Sequence, residues 1–315
     1  MKTISIVTAC YNEEENIALL IEAVRKVMEN FPQYAYEHLF IDNASEDRTV
    51  KILKEFAAED PRIKIIVNSR NFGHIRSPMH ALLEARGDAV ISIVADLQDP
   101  PELIADFLRQ WEAGSDIVLA VKRSSAENRL MFKVREAYYS LLDRLSEVPV
   151  YKNFTGFGLY DRKVMDALRQ MRDPYPFFRG MIAEVGYTVT KIPYDQPIRL
   201  HGITKNNFYT LYDMAVLGII NNSKVPLRLA IFLGLIIGTL SLLVGLGYLV
   251  VKLLNWDSMT LGMAPLLIGA SFAFAVLLFF IGILGEYIGM IYTQVLDRPL
   301  VFEKERINFK PSKKK

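Results

Sequence analysis

Two stretches without a charged residue, Leu229 to Val251 and Met263 to Gly285, restrict this chain more than any other feature. Each is about 23 residues, on the order of 35 Å as a helix, against a bilayer hydrocarbon core of about 30 Å. Helices apolar all round at that length are mostly membrane spans, with a pair of buried core helices as the weaker alternative. The connection from Asn255 to Gly262 contains Asp257 but no Lys or Arg. Lys224 and Arg228 stand before the first run; Arg298, Lys304, Arg306 and the tail Lys313-Lys314-Lys315 follow the second. Positive charge brackets the hairpin, so both of its ends, and both chain termini, are expected in the cytoplasm. Lys252 can snorkel and Glu286 can reach the interface. The expectation is a multi-pass protein of the inner (cytoplasmic) membrane.

The remainder, Met1 to Asn222, reads as an ordinary globular protein. A net charge of +2 with no basic, aromatic-laced stripe argues against nucleic acid as a partner. Cys10 is the single cysteine and lies in an apolar strand, which points to a reduced, buried thiol. Met1-Lys2-Thr3-Ile4 enters that strand directly, without the pattern of a signal peptide, so the domain is expected to stay in the cytoplasm. Strands are expected at Thr3–Ala9, His38–Asp42, Ile63–Val67 and Ala89–Val94, with helices between them, the first capped by Asn12 and running to about Glu29. This alternation implies an α/β domain of Rossmann type with a mostly parallel sheet. Ligands of such sheets sit at the carboxyl ends of the strands, which gathers Tyr11, Asp42 and Asp96. No G-x-G-x-x-G follows the first strand and no Walker loop occurs, which disfavours dinucleotide oxidoreductases and P-loop NTPases.

Three motifs follow strands in order: Tyr11-Asn12-Glu13-Glu14, Ile41-Asp42-Asn43-Ala44-Ser45-Glu46-Asp47 and Ala95-Asp96-Leu97-Gln98-Asp99-Pro100-Pro101-Glu102. Ser69-Arg70-Asn71-Phe72-Gly73-His74 adds a fourth. Together they resemble the signatures of family 2 inverting glycosyltransferases, in the branch of dolichol-phosphate mannose synthase and bacterial bactoprenol glucosyltransferases. The resemblance implies a glycosyltransferase-A-like fold, then interfacial helices and a two-helix transmembrane hairpin. The corresponding division is a cytoplasmic catalytic domain over 1–205, a juxtamembrane amphipathic helix over 206–226, two spans over 227–290 and a basic cytoplasmic tail over 291–315. It implies transfer of a hexose from a nucleotide-sugar (UDP- or GDP-linked) to a polyprenyl phosphate, with undecaprenyl phosphate the natural carrier. Two alternatives are a transferase acting on a glycan or glycolipid hydroxyl, and a degenerate membrane-tethered binder of nucleotide-sugars.

The resemblance assigns Tyr11, Asn12, Glu13, Asp42, Arg70 and Asp96 to the donor nucleotide. A carboxylate at 42 can accept from base N–H or ribose O–H groups, or instead cap the next helix, for which Ser45 and Asp47 are also available. Asp96 is the first candidate to hold Mg²⁺ or Mn²⁺ against the diphosphate. The family's Asp-x-Asp reads Val94-Ala95-Asp96 here, so Asp99, Gln98 or the donor must supply further oxygens. The acid that follows a Thr-Gly pair in relatives is absent from Thr155-Gly156-Phe157-Gly158-Leu159-Tyr160-Asp161, and Asp161 reads as a helix cap. A phosphate acceptor, with a second pKa near about 6, needs no strong base, so this loss fits a lipid phosphate better than a sugar hydroxyl. Arg123, Arg129, Lys133, Arg135 and Lys205 are the candidates to hold that phosphate, with Asp96, Gln98 and Lys205 nearest the chemistry. Stripes over Asn128–Val148 and Phe208–Asn222 suit core packing or, for the second, the headgroup plane. Small faces at Gly234, Gly238, Gly245 and Gly247 permit close helix packing, within this chain or with another copy.

Overall fold

The computed structural model describes residues 1–123, 151–197, 218, 223–254 and 263–309. It separates into two compact units: Met1–Asn221 with Asp297–Lys315, and Asn222–Leu296. Of the expected juxtamembrane helix over 206–226 only Gly218 and residues 223–226 are described, and the stripe over 128–148 lies outside the described residues.

The first unit is built on one mixed sheet. Its strands are β1 Lys2–Cys10, β2 Tyr34–Asp42, β3 Ile63–Asn68, β4 Ala89–Ser92, β5 Ile117–Lys122, β6 Phe154–Asp161, β7 Val189–Tyr194 and β8 Glu303–Ile307, in the order β7-β5-β6-β4-β1-β2-β3-β8. β1 to β4 run parallel, and β6 is antiparallel to both β4 and β5. Strands rich in Ile and Val, such as Ile4-Ser5-Ile6-Val7, are buried on both faces, as helix-covered parallel strands must be. One face packs under α1 Ile17–Met28, α2 Thr49–Glu59 and α4 Leu103–Glu112 through Leu20, Leu53 and Phe107. The other packs under α3 Gly73–Glu84, α5 Arg162–Met171 and α6 Phe178–Glu184 through Leu82, Leu168 and Ile182. Phe40, Phe107, Phe154 and Phe157 are fully buried, each contributing about 1.5–3 kcal/mol. β5 and β6 approach so closely that a Cβ on Gly158 would stand 2.3 Å from the carbonyl oxygen of Val118, so only glycine fits there.

The structure corrects two readings of the sequence. Asn12 does not cap α1: the helix starts at Ile17 behind Asn16, while Asn12 adopts φ +55° and its side chain turns to a different loop. The tail beyond the second apolar run is not merely basic, because Glu303–Ile307 adds an antiparallel edge strand to β3. Lys54 pairs with Glu305 at 2.7 Å, and Asn308 donates to the carbonyls of Ala57 and Ile63 at 2.7 and 2.9 Å.

The second unit holds α7 Val225–Leu254 and α8 Met263–Leu296, both long and apolar enough to cross a membrane. Large side chains along them, such as Phe232 and Ile268, are exposed. The Tyr287 hydroxyl donates to the carbonyl of Ser223 at 2.7 Å, tying α8 to the chain just before α7.

Candidate active site

The register of the sheet brings Cys10 level with Asp42, and Asp42 level with Val67, at one edge. The loops after β1, β2, β3 and β4 therefore emerge side by side, and the first three are laced together. Asn12 N–H donates to Ser45 Oγ at 2.9 Å, Glu13 N–H to Thr49 Oγ1 at 2.8 Å, and Glu46 N–H to Asn12 Oδ1 at 2.8 Å. Asn43 is buried and serves as the next knot. Its Nδ2 donates to Asn71 Oδ1 at 2.9 Å, and its Oδ1 accepts from Phe72 N–H at 2.9 Å and Asn68 Nδ2 at 3.2 Å. Three residues other than glycine, Asn12, Ala44 and Leu97, hold left-handed backbones (φ +55°, +63° and +58°), one in each of the loops after β1, β2 and β4. Such conformations cost on the order of 1–2 kcal/mol each and concentrate at functional sites.

Asp42 is fully buried, and burial raises its pKa. Its Oδ2 accepts from Ser45 N–H at 3.0 Å and its Oδ1 from the Ser45 hydroxyl. It thus folds its own loop rather than capping α2, which begins seven residues later. Glu13 Oε2 accepts from Asn16 Nδ2 at 2.7 Å. Arg70 stacks over Phe72 at 4.0 Å and donates to the carbonyl of Asn71 at 2.9 Å. Tyr11 is half-buried in the first loop.

After β4 the two acidic residues part. Asp96 is half-buried, and its Oδ1 accepts from Gln98 N–H at 3.2 Å. Asp99 turns inward, where Oδ2 accepts from Val94 N–H at 3.4 Å and Oδ1 from the Tyr194 hydroxyl at 3.0 Å. Burial pushes the Asp99 pKa up to about 6. Among the described residues no three His, Cys, Asp or Glu side chains could together hold a metal ion. The residues present do fit Mg²⁺ or Mn²⁺ bound to a diphosphate, since such ions take one or two carboxylates and receive their other oxygens from phosphate and water.

Asp161 is remote from this edge. It pairs in register with Ala89, the first residue of β4, so it lies where β4 begins rather than where it ends. There it caps α5, accepting from Lys163 N–H at 2.9 Å, and accepts from Trp111 Nε1 at 2.7 Å. Arg123 is exposed just past β5, on the same edge as Asp96 and about 10 Å to the side at the spacing of two strands. Arg129, Lys133, Arg135 and Lys205 lie outside the described residues. Sequence reading missed the Asn43 knot and Tyr194. The first carried a signal, a polar residue directly after a buried strand; the second is 95 residues from its partner and carried none.

The model of the family described as glycosyl transferase family 2 matches residues 5–169. Over 298 residues the chain is 36% identical to an uncharacterised glycosyltransferase of Bacillus subtilis (strain 168), YkcC, covering 94% of this chain and 91% of that one. It is also 36% identical to the SfII prophage-derived bactoprenol glucosyl transferase of Shigella flexneri, covering 94% of this chain and 96% of that one. Among solved structures, the mannosyltransferase PcManGT from Pyrobaculum calidifontis, in complex with GDP-Man and Mn²⁺, is 18% identical with a TM-score of 0.47, over 69% of this chain and 61% of that chain.

Proposed function

The chain belongs to glycosyltransferase family 2, and we propose that its reaction moves a hexose from a nucleotide-sugar to a polyprenyl phosphate, with inversion at the anomeric carbon. The observation that carries this reading is similarity along nearly the whole chain to a bactoprenol glucosyl transferase, with both apolar helices inside the matched length. Bactoprenol (undecaprenol), carried as its phosphate, is accordingly the acceptor we assign.

The donor nucleotide is assigned to the laced loops, where Tyr11, Asn12, Glu13, Asp42 and Arg70 surround the base and ribose. Asp96 faces the diphosphate, with Asp99 holding the Asp96 loop from beneath. A divalent cation at Asp96 would offset the charge that builds on the departing nucleoside diphosphate. Gln98 keeps Asp96 oriented through its backbone N–H. The acceptor phosphate is assigned to Arg123, Arg129 and Lys205, whose charges would hold it in line with the anomeric carbon. A phosphate monoester near neutral pH is already largely anionic, so attack requires positioning rather than proton removal. The placement of Asp161 at the opposite edge is in keeping with a reaction that uses no base there.

We assign α7 and α8 as two membrane spans. Lys224 just before α7 and Arg228 in its first turn, with Arg298, Lys304 and Arg306 after α8, support a cytoplasmic location for both ends and for the catalytic unit.

Labelled UDP- and GDP-hexoses incubated with detergent-purified protein and a short-chain polyprenyl phosphate test the proposal. Label in an acid-labile lipid of inverted anomeric configuration is expected. Label in a base-stable glycan, or none in any lipid, contradicts it.

A further inference from the structure

Two guanidinium groups share one aromatic ring at the β3 end of the sheet. Arg70 lies 4.0 Å and Arg76 5.7 Å from the ring centroid of Phe72, which is itself buried and packs on Phe302. Arg76 Nη2 donates to the carbonyl of Pro299 at 2.6 Å, which brings the preceding residue, Arg298, beside the pair. Among the described residues none of these three arginines is ion-paired with a carboxylate. Arg306, nearby on β8, by contrast is paired with both Glu84 and Glu303. The Arg76 Nε–H is buried and has no hydrogen-bond partner. Arg76 also sits in the first turn of α3, which holds no acidic residue, so the helix dipole adds to the positive field. Burial first, and then the charges of Arg70 and Arg298, lower the Arg76 pKa.

A buried donor without a partner, inside a group of like charges, calls for an anion. Guanidinium forks match carboxylate and phosphate alike, but three forks offer more donors than the two oxygens of a carboxylate can accept. We propose that Arg76 and Arg298, with Arg70 on the side it shares with the nucleotide loops, form a binding site for a phosphoryl anion, distinct from the phosphates assigned to Asp96. β3 is three strands from β4, or about 14 Å, so a group held at Asp96 does not reach this cluster. The favoured source is the phosphodiester headgroup of an anionic lipid, because Arg298 stands two residues beyond the end of α8. That source, though not the site itself, rests on reading α8 as a membrane span. Free phosphate is the other source of the same chemistry.

The test uses full-length protein in neutral detergent, titrated with dihexanoyl phosphatidylglycerol, with inorganic phosphate, and with dihexanoyl glycerol as the phosphate-free control. Saturable binding is followed by thermal shift in wild type, Arg298→Gln and Arg76→Lys. Wild type is expected to bind a phosphate-bearing probe and not the control. Each variant is expected to bind at least about ten-fold more weakly, the lower end for one charge-assisted hydrogen bond. Tighter binding of phosphatidylglycerol assigns the headgroup, and tighter binding of inorganic phosphate assigns the free ion; either supports the site. Arg298→Gln alters an exposed side chain, so it keeps the test valid should Arg76→Lys disturb folding. Equal affinities in wild type and Arg298→Gln, or no saturable binding of either phosphate probe, overturns the proposal. Sugar transfer is assayed separately: variant-sensitive phosphate binding in a protein that transfers no sugar defeats the transferase reading and leaves this site standing.

Discussion

The Tyr194 hydroxyl donates to Asp99 across 3.0 Å, so the edge strand β7 holds down the loop that carries Asp96. The carboxylate is buried, and among the described residues its other oxygen takes only the long contact from Val94 N–H. Tyr194→Phe removes the better donor from a group that cannot turn to water. A loss of about 1–3 kcal/mol in stability is expected, together with slower sugar transfer. Urea unfolding and initial rates check this; unchanged values for both would show that the loop is held by other contacts.

Asp96→Ala is expected to lower turnover at least about a hundred-fold, on the scale of removing one group that stabilises developing charge. Because Asp96 is half-buried on a loop rather than packed in the core, the fold should survive. Near-normal rates in this variant would remove the assignment of the diphosphate to Asp96.

Ala44 holds a left-handed backbone at φ +63° with a side chain too small to matter for packing. Ala44→Gly is expected to be neutral or to stabilise by up to about 1 kcal/mol. Ala44→Val, branched at Cβ, is expected to cost about 2 kcal/mol or more. Thermal unfolding of the two variants checks the contrast, and equal stabilities would refute the strain at this loop.

His38 is buried against Phe40, with Nε2 3.0 Å from Thr8 Oγ1, and burial holds its pKa down at about 3 rather than 6.5. The unfolded chain takes up a proton that the folded core resists. This contribution to stability is therefore complete above about pH 6.5 and is lost as pH falls toward about 3, by at most ~5 kcal/mol. His38→Gln should flatten the acid limb of the stability curve. A limb of unchanged slope in that variant would assign acid unfolding to other groups.

Much of the fold was legible because its physics is local. Buried parallel strands such as Ile63–Val67 announce themselves as short apolar runs, and α7 and α8 as long ones. The cap at Asp161 was readable from a carboxylate placed just before a helical stretch. β8 was not, since Glu303-Lys304-Glu305-Arg306 carries a charged pattern that shows no buried face. That composition suits an exposed edge strand, which charge protects from pairing with other chains. At the candidate site the order of the motifs was visible, but the inward turn of Asp99 was not. It depends on Tyr194, which reaches the same place only through the β5–β7 pairing. Asn12 misled for a related reason: a left-handed residue resembles a helix cap in sequence, and only the bond to Glu46 N–H reveals what it does.

The most direct measurement offers the purified protein its sugar donor together with equal amounts of a polyprenyl phosphate and the matching polyprenol. On the proposed reaction the acceptor arrives already anionic and needs no base at Asp161, so label should enter the phosphate-bearing lipid and leave the alcohol untouched. Transfer to the polyprenol, or to a soluble alcohol, with the phosphate ignored, would contradict the account.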